Sequence, residues 1–155
     1  MGLPDESYSL RKFDDVFSSL EHLRVFAGQL GVKILIENIP NELSFPQRLV
    51  AFLRYTKVTD VGLCFDTGHA HMTGDVAEAL ETMKEHIVST HVHDNEGEKD
   101  EHLYPFEGGI DWRPVVPQFH VARGRFPVVF ELRDYGEKDP FEKLKKVMEN
   151  FRTLQ

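Results

Sequence analysis

Four apolar runs in this sequence each end in residues that can hold a cation or move a proton. The run Val32 to Ile36 ends in Glu37 and Asn38, and Val61 to Phe65 ends in Asp66, Thr67, Gly68 and His69. Ile87 to Thr90 leads into His91, Val92, His93 and Asp94, and Phe126 to Phe130 leads into Glu131, Leu132, Arg133 and Asp134. One carboxylate at such a place has an ordinary explanation: it caps the next helix or pairs with an arginine. Three carboxylates brought together are different, because they repel one another and lose hydration unless positive charge sits between them. A divalent cation resolves that conflict. Oxygen ligands with one imidazole suit a moderately hard ion such as Mn2+, Mg2+, Co2+ or Zn2+.

These residues meet only if the elements behind them run in one direction. Leu10, Phe13, Phe17, Leu20, Leu23, Phe26 and Leu30 recur at helical spacing, and Gly31 is placed to close that helix. Val32 to Glu37 reads as a buried strand. Ser44 to Gln47 has the spacing of a capping box opening a helix over Leu49, Val50, Phe52 and Leu53. Val61 to Asp66 reads as a second strand, and Asp75 caps a helix through Val76, Ala79, Leu80 and Met83. Ile87 to His93 is a third strand, followed by a polar loop from Asp94 to about Gly109. Asp111 can cap a short helix over Val115, Val116 and Phe119, made irregular by Pro117. Phe126 to Leu132 is a fourth strand, and Asp139-Pro140-Phe141-Glu142 starts a last helix whose Leu144, Val147, Met148, Phe151 and Leu154 face inward. One helix and then four βα units predict an α/β protein with a parallel sheet. The strand ends then gather at its C-terminal edge, where parallel α/β folds place their active sites.

The remaining polar residues have ordinary readings. His91 and His93 share a strand face, and parity does not choose between them. His22, His71, His86 and His120 read as surface or structural histidines, and Trp112 as packing beneath the long loop. Cys64, two residues before Asp66, should point inward as a small buried thiol. Arg133 can meet an anionic substrate group or pair with a neighbouring acid.

The bulk numbers fit one soluble domain over residues 1–155, with 41% apolar and 28% charged residues and no linker or low-complexity stretch. No apolar run nears the roughly 20 residues of a membrane span. No secretory signal opens the sequence at Met1 to Glu6. A single cysteine excludes an internal disulfide. These features fit a cytoplasmic protein. The net charge of −8 opposes nucleic-acid binding, which draws most of its affinity from phosphate neutralisation.

In their order and spacing, Ile36-Glu37-Asn38, Cys64 to His69, His91 to Asn95, Asp100-Glu101-His102 and Phe130-Glu131-Leu132 resemble the C-terminal half of the xylose-isomerase-like barrel superfamily. That group holds tagatose-3-epimerase-type sugar epimerases, hydroxypyruvate isomerases, inosose dehydratases and abasic-site nucleases of the endonuclease IV type. The resemblance covers nearly the whole chain and implies half of a (β/α)8 TIM barrel. In the sugar-epimerase branch it implies one divalent metal on Glu37, Asp66, His91 and Glu131. Glu37 and Glu131 would move a proton beside the substrate carbonyl through a metal-stabilised enediolate, and His69 would contact substrate oxygens. It favours His91 over His93. In the nuclease branch, Asp66, His91 and Glu131 would hold one zinc, His69, Asp100 and His102 another, and Glu37 would bridge metals. Asp100 and His102 can instead be loop residues that organise a sugar pocket. The sequence departs from the family in supplying four strands where the barrel has eight. A half-barrel leaves two sheet edges and an inner face uncovered, so self-association across a two-fold axis is expected. A metal-binding half-barrel that needs a partner before it catalyses is a further expectation.

Overall fold

The computed structural model describes residues 6–122, 124–133, 136 and 138–154, with residues 6–12 described through their backbone alone. The inward face expected of Leu10 and the strand-end role of Asp134 lie outside the described residues. Nine elements follow in order: α1 (Glu6–Gln29), β1 (Leu35–Glu37), α2 (Pro46–Thr56), β2 (Gly62–Asp66), α3 (Thr67–Thr73), α4 (Val76–Met83), β3 (Ile87–His91), α5 (Val116–Val121) and α6 (Pro140–Thr153). The sheet is parallel, in the order β1-β2-β3. Each crossover carries helix, so the chain is an α/β half-barrel of the expected kind.

β2 is buried along its whole length, as a central parallel strand covered on both faces must be. Leu63 and Phe65 on this strand pack with Phe52 and Leu53 of α2, Leu80 and Met83 of α4, and Val115 and Val116. α1 joins this core through Phe13, whose ring meets that of Phe52 edge-on at 5.5 Å, and through Leu20. Asp75 and Asp139 cap α4 and α6 as expected, accepting from Glu78 N at 2.7 Å and Glu142 N at 3.0 Å. Gly31, at φ 67, ends α1 in the left-handed region open to glycine.

Other local expectations are overturned. Ser44 does not cap α2: Phe45 is the N-cap and provides no side-chain bond. Pro46 occupies the first turn and removes one free donor, while Asn41 Oδ1 takes the N–H groups of Leu43 and Ser44 at 2.9 and 3.1 Å. Asp111 does not cap α5, because its carboxylate is held by Arg113 at 2.6 and 2.7 Å. β1 covers Leu35–Glu37 rather than the six residues from Val32. The fourth extended segment is held by isolated bridges, at Phe126 and, parallel to Val92, at Phe130, instead of a continuous ladder. Pro127 has no N–H to donate, and the Thr90 hydroxyl stands in by donating to Pro127 O at 2.9 Å and accepting from Val129 N at 3.2 Å. Helix α3 is additional to the elements expected, since Thr67 to Thr73 carries no apolar stripe.

Leu23, Phe26 and Leu30 keep their helical spacing yet are exposed at 59%, 72% and 75%, and Met148 at 43%. Helical period marks a face, whereas burial needs something to lie against it. Here β1 is an edge strand, with β2 as its one partner in the sheet. No described helix is long and apolar enough to cross a membrane.

Candidate metal centre

The parallel register brings the strand ends together. Asp66 pairs directly with His91, and Glu37 pairs with Cys64, two residues before Asp66. Asn38 bridges that stagger: Asp66 N donates to its Oδ1 at 2.8 Å and its Nδ2 donates to Asp66 O at 2.9 Å. The Asn38 side chain thus imitates one further rung of the ladder between β1 and β2. Asp66 is fully buried and serves two elements, ending β2 and capping α3 by accepting from His69 N at 2.7 Å.

Glu37, Asp66 and His91 each offer a ligand atom within 4.8 Å of the other two. His91 Nδ1 faces Glu37 Oε1 at 3.4 Å, Asp66 Oδ2 at 3.9 Å and Glu131 Oε2 at 2.9 Å. Glu131 therefore touches the group through His91, from the irregular fourth segment, and does not join the mutually close set. His69 lies between: Nδ1 is 3.2 Å from Glu37 Oε1 and 3.6 Å from Asp66 Oδ1, and Nε2 is 3.5 Å from Asp100 Oδ2.

His93, Asp100 and His102 form a second mutually close set within 4.8 Å. The residue that completes it is His93, rather than the expected His69. His93 is fully buried, with Nε2 at 3.1 Å from both Asp66 oxygens, and its ring stacks on that of His102 at 4.1 Å and 2°. The His-x-His spacing was the available signal, because residues two apart on a strand share a face. His71 has a structural place, with Nδ1 2.8 Å from Asn95 Oδ1. Trp112 is buried under the long loop as expected.

The acids and imidazoles of the pole shift one another. The adjacent His69 ring, against the opposing effect of burial, holds the Glu37 carboxyl below its usual range. Burial resists charging of His69, but Glu37, Asp66 and Asp100 outweigh it and lift the imidazole to about 9. His93 is likewise raised, with Asp66 overcoming burial, and Asp100 is lowered, with His102 overcoming burial. Cys64 is pushed up to about 12, by burial first and then by the charges of Glu37, Asp66 and Glu131, so its thiol stays protonated near neutral pH. Among the described residues, His69 Nδ1 and Asp100 Oδ1 are buried side-chain atoms without a well-directed hydrogen bond. Carboxylate oxygens and imidazole nitrogens gathered this closely are the donor set of a moderately hard ion, so the residues present fit a divalent metal.

Comparison with known proteins agrees with this architecture. An uncharacterized protein of Sinorhizobium fredii, y4fM, is 36% identical over 124 residues, which is 78% of this chain and 38% of that protein. The crystal structure of a D-tagatose 3-epimerase-like protein matches with a TM-score of 0.74 and 28% identity, covering 96% of this chain and 58% of the other. The 3-keto-D-glucoside 4-epimerase YcjR from E. coli shares the fold, with a TM-score of 0.73 and 19% identity over 99% of this chain and 57% of that one. This chain therefore spans well under two thirds of the length of these relatives. The family profile described as xylose isomerase-like TIM barrel matches residues 2–154, and the chain belongs to that family.

Proposed function

We propose that this chain is the metal-binding half of a sugar isomerase or epimerase, in which Glu37, Asp66 and His91 hold one divalent cation and Glu131 completes its shell. The observation that carries this reading is the approach of three ligand atoms from three strands to within 4.8 Å. When bound, the cation would polarise neighbouring carbonyl and hydroxyl oxygens of a small sugar and stabilise the negative charge that grows on them. Glu37, charged and half-buried, is placed to take a proton from the carbon beside the carbonyl. Glu131, on the other side of His91, is placed to return one. His69 orients substrate oxygens, and the protonated Cys64 thiol takes no part in proton transfer. The test is proton exchange in D2O on free ketoses with Mn2+ or Co2+. Deuterium should enter beside the carbonyl, and Glu131→Gln should slow this by about 10²-fold or more. Absence of exchange by metal-loaded, assembled protein would remove the proposed chemistry.

Assembly is part of the proposal. Leu23, Phe26 and Leu30 are exposed on α1, which precedes β1, and Val128 and Val129 are exposed on the fourth segment. A two-fold axis along the barrel would set the β1 edge of one copy beside the fourth segment of its partner, closing a parallel ring with two metal poles at one mouth. The wild type should run at twice the monomer mass in solution, and Phe26→Asp should shift it toward monomer. A monomeric wild type would contradict this arrangement.

One observation favours a second reading, a zinc phosphodiesterase acting on abasic DNA. The set of His93, Asp100 and His102 gives the pole room for more than one ion. More than one zinc per chain together with cleavage of abasic DNA would establish it. The net charge of −8 argues against it.

A further inference from the structure

We propose that Asp94 is the positioning residue for the arm that carries Asp100 and His102 to the metal pole. The claim rests on reading that pole as the binding surface, as above. Asp94 is fully buried immediately after the third strand end, and its carboxylate gathers four neutral N–H donors from along the loop. Oδ1 accepts from Asn95 N at 2.9 Å and Ile110 N at 3.2 Å. Oδ2 accepts from Phe106 N at 3.1 Å and the Trp112 indole N–H at 2.8 Å. Its backbone pairs with Leu103 in both directions at 2.9 Å. The excursion of residues 95–102 is therefore pinned at its root and at its return. His102, at φ 54, turns its ring back from that return onto His93, with Nε2 3.0 Å from Asp100 Oδ2 and Nδ1 3.1 Å from Glu131 O.

Two features show that the hub leaves little freedom. A Cβ added at Gly108 would stand 2.4 Å from Asp94 Oδ1 and 2.5 Å from Asn95 O, so the loop closes this tightly only around glycine. Trp112 spends its one polar group on Asp94 and fills the space below the arm. A carboxylate accepts on both oxygens, whereas an amide turns donors toward two of the four N–H groups. Asp94→Asn therefore breaks half of the hub while keeping its shape.

The experiment reads His102 in the metal-free full-length chain, by the ring-current shift of its ring protons and by its rate of modification with diethylpyrocarbonate. In the wild type the His102 ring should be shifted by the stacked His93 and slow to react. In Asp94→Asn the shift should collapse, and modification should quicken by about tenfold, the change expected when a packed ring is released at a cost near one decade in equilibrium. The milder Trp112→Phe, which removes only the indole N–H, should move both readouts in the same direction and decides the question if Asp94→Asn does not fold. Affinity for Co2+ alone at Glu37, Asp66 and His91 should stay near the wild-type value in both variants, separating a positioning role from general destabilisation. A His102 that stays stacked and protected in a folded variant would overturn the proposal, as would cobalt affinity that falls in step with stability. Wild-type protein that binds no cobalt would instead remove the functional reading, while the metal-free His102 readouts would still decide the role of Asp94.

Discussion

Asp66→Asn should weaken divalent-cation binding by at least about a hundredfold and leave the fold standing. Asparagine caps helices as well as aspartate does, so the bond from His69 N, 2.7 Å in the native chain, survives at the start of α3. The backbone bonds to Asn38 are untouched, and what is lost is the negative charge that faces His91 and His93. A cation held by two carboxylates and an imidazole should then bind at least about a hundredfold more weakly, or ~2.8 kcal/mol. His91→Ala should do the same at little structural cost, since the His91 side chain is 34% exposed. Asp66→Ala is a poorer tool, because it also removes the cap, about 0.5–2 kcal/mol, and leaves buried His93 without its carboxylate. Metal content after dialysis against Mn2+ or Zn2+, measured beside thermal unfolding, separates the two effects. Full occupancy in both Asp66→Asn and His91→Ala would show that the ion, if any, sits elsewhere.

Gly68→Ala should be strongly destabilising, although it adds one methyl group in the first turn of a helix. The new Cβ would lie 1.9 Å from His93 Cε1 and 2.5 Å from His93 Nδ1. The His93 ring has no route of escape, being fully buried, stacked on His102 and held between Asp66 and the backbone of Asp94. Overpacking of this kind costs about 1–3 kcal/mol and sometimes more. For a domain of this size each kcal/mol lowers Tm by roughly 2–4 °C. Scanning calorimetry should show that drop, and it should shrink when His93→Ala is added, because the two changes relieve one clash. An unchanged melt in Gly68→Ala would mean that His93 is not confined as described.

The sequence made the direction of the strands and the polarity of their ends readable, because buried parallel strands are continuous apolar runs and their ends are abruptly polar. Glu37 and Asp66 could be named together for that reason, with either His91 or His93 beside them, and the choice of His91 came from the family resemblance. Asp75 and Asp139 were equally plain, each an acid directly before a helical stripe. Less visible was anything that depends on which partner reaches a backbone group first. Phe45 and Pro46 open α2 in place of Ser44, whose own N–H is taken by Asn41, and Asp111 is taken by Arg113. Helix α3 lacks a stripe because it lies at the pole, where Thr67 and His69 turn to polar neighbours: Thr67 Oγ1 donates to His93 O at 2.6 Å. His93 had the right parity, and nothing in one sequence said that it would be drawn toward Asp66 and Asp100. The exposed Leu23, Phe26 and Leu30 make the converse point. Their spacing told which side of α1 is apolar, and the missing neighbour could be inferred only from the four-strand count.

The sharing of one cation by side chains from separate strand ends is tested most directly by anomalous diffraction at the zinc edge from crystals grown with Zn2+. The expected result is a peak among Glu37, Asp66 and His91, with ligand distances near ~2.0–2.2 Å. A zinc-saturated crystal with no peak at that place, or with those three side chains turned away from one another, would contradict it.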